Sequence, residues 1–172
     1  ACGRAILGNG GKSDQNRVET NMVVDLNESW TIAFWVDGLA SKGTHYLFSS
    51  VGWNGFRCFT NGAAGDSNIL VRQSSGMNLL IEGVADHEDH EVVLVHDRKN
   101  KVVKAYKDRK FQSEHTYKDS LVQWYSRRDV FVVAGYGLNS SLPDGALMDE
   151  FRIYSYAIDT TRISGFSLDG VK

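Results

Sequence analysis

The strongest constraint on this chain is the rhythm of its apolar segments. Short β-branched or aromatic runs sit between clusters of Gly, Asn, Asp and Ser, with 17 Gly and 1 Pro in 172 residues. That close spacing is the pattern of an antiparallel sandwich. Thr31-Ile32-Ala33-Phe34-Trp35-Val36 shows the alternation, which puts Ile32, Phe34 and Val36 on one face and Trp35 on the other. Nothing supports an amphipathic helix of normal length, so architectures with a parallel sheet and flanking helices are disfavoured. The expectation is an all-β, two-sheet antiparallel sandwich, a single domain over residues 1–172.

Further strands are predicted at His45 to Val51 and Phe56 to Thr60, joined through Trp53-Asn54-Gly55. Asn-Gly is the pair that tolerates the positive φ of a type I′ hairpin. Asn68 to Gln73 pairs with Met77 to Glu82 across Ser74-Ser75-Gly76, and Glu91 to His96 with Val102 to Tyr106 across Asp97-Arg98-Lys99-Asn100. Lys110 to Glu114 returns through Lys107-Asp108-Arg109. Phe131 to Ala134 and the long strand Leu147 to Tyr156 follow, and Asp159 is placed to cap one helical turn over Thr160 to Ser164. No repeat, linker or low-complexity segment marks a domain boundary.

The formal charge is −2, from 19 basic and 21 acidic residues without long runs, so there is no electrostatic footprint for nucleic acid or an anionic membrane. No apolar run approaches the roughly 20 residues of a membrane helix, and no membrane insertion is expected. A start at Ala1 without an initiator Met or signal-like segment suggests a processed chain or a piece of a longer one. Cys2 and Cys58 are the only cysteines. A bridge between them would contribute roughly 4 kcal/mol on the chain-entropy model and imply an oxidising compartment; the alternative is two free thiols, with Cys58 packed in a strand. The sequons Asn27-Glu28-Ser29 and Asn139-Ser140-Ser141 lean the same way, towards an extracellular, cell-surface or virion-associated chain.

Four stretches in order resemble the laminin-G-like, concanavalin A-like jelly-roll family. They are the Thr31 to Val36 strand, Val93-Leu94-Val95-His96-Asp97, the Tyr106-Lys107-Asp108-Arg109-Lys110 hairpin and the closing segment Gly145 to Asp159, GALMDEFRIYSYAID. The resemblance implies a sandwich that recognises carbohydrate or protein. Two departures stand out. Asp86-His87-Glu88-Asp89-His90-Glu91 replaces the Trp-His-His that commonly precedes the Val-Leu-Val-His strand, and Arg109 stands where the hairpin turn usually carries Gly, where a non-Gly residue at positive φ is strained. On the closing strand, alternation points Phe151 and Ile153 to the core and Glu150, Arg152, Tyr154 and Tyr156 away from it. Asp149 shares the inward parity, so it is satisfied by backbone amides or bound to metal.

Glucanases of this broad fold carry Glu-x-Asp-x-x-Glu on one strand, and no such strand exists here. Neither a Ser nucleophile elbow nor a phosphate-cradling loop appears, since Gly8 to Gly11 precedes no helix. The chain is read as non-enzymatic. His87 and His90 read as parts of a solvated charged loop rather than a metal pair. The resemblance implies a calcium ion at the sandwich rim, for which Asp14, Asn16, Asp144 and Asp149 are the candidate ligands. Aromatic side chains that stack on pyranose faces, with polar donors beside them, are the sugar-binding signal. Trp53, Trp124, Tyr125 and Tyr136 are the aromatic candidates, and Arg57, Arg127 and Asn139 the polar ones. The functional expectation is a non-catalytic recognition module for a glycan or glycoprotein surface. The alternatives are a structural or adhesion domain contacting other protein chains of an assembly, or an accessory domain of a glycoside hydrolase.

Overall fold

The computed structural model describes residues 5–11, 17–40, 42–51, 55–73, 76–121, 130–136 and 141–165. Twelve strands run in the order Ile6–Leu7 (β1), Val18–Val23 (β2), Trp30–Asp37 (β3), Tyr46–Val51 (β4), Arg57–Thr60 (β5), Ile69–Arg72 (β6), Asn78–Ile81 (β7), His90–Asp97 (β8), Val102–Lys107 (β9), Lys110–Thr116 (β10), Val130–Val133 (β11) and Leu147–Tyr154 (β12). They form two six-stranded sheets, β1-β12-β3-β8-β9-β10 and β2-β11-β4-β5-β6-β7, with every pairing antiparallel. This is the antiparallel sandwich expected from the strand rhythm, in the jelly-roll form that the family resemblance implies. The strands read from the sequence are all present with ends shifted by a residue or two; β1 and β2 are additional. Among the described residues no helix is long and apolar enough to cross a membrane.

One core lies between the sheets. Ile32, Phe34 and Val36 of β3 enter it together with Leu94, Phe48, Phe56, Phe131 and Trp30. Phe34 meets Phe48 edge to face at 5.8 Å and stacks with Phe151 at the same distance, and Phe151 also contacts Phe48 and Phe131. Aromatic pairs at such spacing contribute about 0.5–1.5 kcal/mol beyond the area they bury. Cys58 sits fully buried in this core as a free thiol, and burial pushes its pKa up. It therefore behaves as a small hydrophobe rather than half of a bridge; Cys2 lies outside the described residues. At one edge the two sheets are tied by Ser113 Oγ of β10, which donates to the Leu80 carbonyl of β7 at 2.5 Å.

The closing strand departs from simple alternation. Its register with β3 shifts between Asp149 and Arg152, and Glu150 adopts φ 51°, the signature of a bulge. The extra residue lets Met148 and Phe151, three apart, both face the core. Phe151 and Ile153 are thus inward as predicted, but Asp149 is not. It pairs with Trp35, whose side chain packs in a separate cluster on the outer face of the first sheet. The inward parity assigned to Asp149 is corrected by that one bulge.

The Lys107-Asp108-Arg109-Lys110 turn keeps its tight geometry without glycine, with φ 48° at Asp108 and 66° at Arg109. Side-chain bonds hold it. Asp108 Oδ1 accepts from the Glu91 amide at 3.0 Å, Asp108 Oδ2 meets His90 Nδ1 at 2.8 Å, and Arg109 Nε lies 3.5 Å from the buried Glu91 carboxylate. Gly8 shows a true requirement for a missing side chain, since a Cβ there would fall 2.1 Å from the Pro143 carbonyl oxygen. Asp159 Oδ1 accepts from the Thr161 amide at 3.0 Å, capping the 3-10 turn Thr160–Gly165.

Candidate functional site

The two sheets differ in what covers their outer faces. On the first, Ala33, Val93, Val95 and Tyr106 are buried beneath Ile163, Ala157 and Ile158 of the segment that follows β12. On the second, alternation sends Cys58, Ile69, Val71, Leu79 and Ile81 into the core. Arg57, Phe59, Leu70, Arg72, Asn78 and Leu80 therefore lie on the outer face, where Phe59 and Leu70 are buried with Ala64 in a small cluster. A bulge in β4, where the register with β5 shifts between Tyr46 and Phe48, buries both Leu47 and Phe48 and leaves Tyr46 on the outer face beside Phe59, at 5.7 Å between ring centroids.

Tyr136, just beyond β11, completes an aromatic platform. Its ring stacks on Tyr46 at 5.1 Å and 28°. The Arg57 guanidinium carbon lies 5.3 Å from the Tyr136 ring centroid and 5.8 Å from that of Phe59, within cation–π range. Arg57 Nη1 donates to the Gly55 carbonyl at 2.7 Å, and Gly55 has φ 56°. Beside Arg57 in the register stands Arg72, whose Nε donates to Asn78 Oδ1 at 2.8 Å. The Tyr46 hydroxyl pKa is raised, chiefly by burial, with the Arg57 charge opposing and Tyr136 adding, so it stays a neutral donor and acceptor at neutral pH.

Arg57 and Tyr136 are both candidates from the sequence, and the fold brings these two into contact. Tyr46, Phe59 and Arg72 are not among the candidates from the sequence. The alternation of Ile69-Leu70-Val71-Arg72 carried the signal for Arg72, whereas the side taken by Tyr46 depends on a bulge. Trp53, Trp124, Tyr125, Arg127 and Asn139 lie outside the described residues, as do Asp14 and Asn16.

Of the remaining calcium candidates, Asp144 stands on the exposed turn before β12. Asp149, turned outward, accepts from the Glu150 amide through Oδ1 at 2.7 Å. Among the described residues no three His, Cys, Asp or Glu side chains gather closely enough to hold a metal ion. His87, Glu88 and Asp89 are exposed, as a solvated loop should be. His90 differs: it is buried, with Nδ1 on Asp108 and Nε2 on Asp86 at 2.9 Å, so both nitrogens are used by carboxylates and none is left for an ion shared with His87.

Comparison with known proteins places this geometry among relatives. The profile of the family described as the concanavalin A-like lectin/glucanases superfamily matches residues 9–164. No curated protein matches the sequence. Among solved structures, the CBM40 domain of the Ruminococcus gnavus IT-sialidase superposes with a TM-score of 0.66 at 12% identity, over 94% of this chain and 95% of that one. The same domain bound to α2,3-sialyllactose gives 0.62 at 12% identity, over 94% and 97%. A structure of botulinum neurotoxin type C, whose cell uptake depends on two ganglioside molecules, gives 0.65 at 14% identity. It is covered over 92% of this chain, which spans only 40% of the neurotoxin chain. At such identities the likeness establishes the shared fold, and the relatives it points to are binding domains.

Proposed function

Because the chain belongs to a laminin G-type family of the concanavalin A-like lectin/glucanases superfamily, we propose that it is a non-catalytic carbohydrate-binding module. The observation that carries this reading is the stacked Tyr46–Tyr136 pair with the Arg57 guanidinium over the Tyr136 ring. Aromatic faces offer a platform for the C–H surface of a pyranose, and a guanidinium fixed beside them supplies directional donors to hydroxyl oxygens. The non-catalytic assignment is supported by the missing Glu-x-Asp-x-x-Glu strand and by structural relatives that are binding domains.

A glycan array probed with the full chain, with calcium and with chelator, tests this reading. Binding to at least one glycan is expected, with Tyr136→Ala weakening it by about tenfold, on the order of the 1–2 kcal/mol that an aromatic contact supplies. Absence of any glycan signal in both conditions would sink the proposal.

A further inference from the structure

Resting on that reading, we infer that the platform selects an anionic sugar, one bearing a carboxylate or a sulfate, over its neutral counterpart, through the paired guanidinium groups of Arg57 and Arg72. The two residues are direct partners in the β5–β6 register, which sets their Cβ atoms about 4.5–5.5 Å apart on one face. Like charges placed opposite each other in a sheet are destabilising, so the arrangement works against folding unless an anion joins it. Four other arginines among the described residues do have acidic partners: Arg17 pairs with Glu19, Arg98 with Glu28, Arg109 with Glu91 and Arg152 with Glu150. Among the described residues, neither Arg57 nor Arg72 has an acidic partner.

Both side chains are nonetheless held in place. Arg57 is fixed by the Gly55 carbonyl and by the Phe59 and Tyr136 rings, and Arg72 by Asn78. Each guanidinium carries five N–H donors, and these contacts engage one on each group, so further donors remain to face a ligand. Planar forks of this kind match carboxylate and sulfate oxygens with charge-assisted bonds, roughly twice as strong as neutral ones. The chain as a whole is slightly acidic, at −2, so the pair is a local feature and not part of a general basic surface. Its position beside Tyr46 and Tyr136 lets one ligand stack its ring and present its charged substituent to the arginines.

Isothermal titration of the full chain with 3′-sialyllactose, with 3′-sulfated lactose and with lactose tests the inference and separates the two anion chemistries. At least one anionic sugar should bind about tenfold or more tighter than lactose, consistent with charged hydrogen bonds, and the preference should shrink as salt rises. In Arg72→Gln and in Arg57→Gln/Arg72→Gln, checked for retained fold by circular dichroism, the ratio of anionic to neutral affinity should fall towards unity. Lactose binding as tightly as both anionic sugars, or a preference that survives in the double variant, overturns anion selection while leaving the carbohydrate reading intact. No binding of any of the three, together with a blank glycan array, overturns both.

Discussion

His90 and His96 stand six residues apart on β8, and their surroundings shift their pKa values in opposite directions. For His90, burial alone would lower the pKa, but the hydrogen bonds and charges of Asp108 and Asp86 outweigh it and the value is raised. Both carboxylates need an N–H, so the imidazolium is the bonded form. His96 is fully buried, with Nδ1 2.6 Å from the Glu28 carbonyl, to which it donates, and Nε2 accepting from the Tyr117 hydroxyl at 2.6 Å. Burial lowers its pKa, more than the Glu28 carbonyl raises it. The signs then follow from linkage. His90, raised in the folded state, contributes stability that is full below the unfolded value of about 6.5 and is lost as pH rises through the folded value. His96, depressed, contributes stability that is full above about 6.5 and declines as pH falls towards its folded value. Melting curves between about pH 5 and pH 8 should therefore show His90→Gln destabilised most at the acid end and His96→Gln most at the alkaline end. Parallel pH profiles for wild type and both variants would contradict these assignments.

At the scale of elements, the bulge in β12 is the decisive irregularity. Glu150 carries φ 51°, and a left-handed conformation costs a side-chain-bearing residue about 1–2 kcal/mol. Its ion pair with Arg152 lies at the surface and offsets little of this. Glu150→Gly should leave stability unchanged or raise it by about 1 kcal/mol, whereas Glu150→Val should lower it by about 1 kcal/mol or more, because a β-branched residue fits that region worst. Chemical denaturation of the two variants decides it; equal effects would mean that the bulge is not held as described. This element also shows where sequence reading stops. Alternation identified Phe151 and Ile153 as inward because apolar periodicity survives on the far side of a bulge. It misplaced Asp149 because nothing in Met148-Asp149-Glu150-Phe151 announces an inserted residue. β1 is too short, at Ile6–Leu7, to carry a period, and β2 mixes Val18, Met22 and Val23 with Glu19, Thr20 and Asn21, so neither stood out.

For the molecule as a whole, the two sheets divide the work. The segment after β12 closes the outer face of the first sheet with Ile163 and its neighbours, and the second sheet turns Tyr46, Arg57, Arg72 and Tyr136 outward around the buried Phe59. The fold class was legible because strand spacing and turn chemistry repeat along the entire chain, and the closing segment matched the family pattern. The site was legible only as residue types. Arg57 and Tyr136 are distant in sequence and meet because β4 pairs with both β5 and β11, a long-range register that no local pattern encodes. Backbone amide chemical shifts, followed by NMR as 3′-sialyllactose is added to the full chain, decide whether this face binds sugar. The largest perturbations should map to Tyr46, Arg57, Phe59, Arg72 and Tyr136; perturbations confined to the outer face of the first sheet, around Val95, Tyr106 and Ile163, would rule out a sugar site on the second sheet.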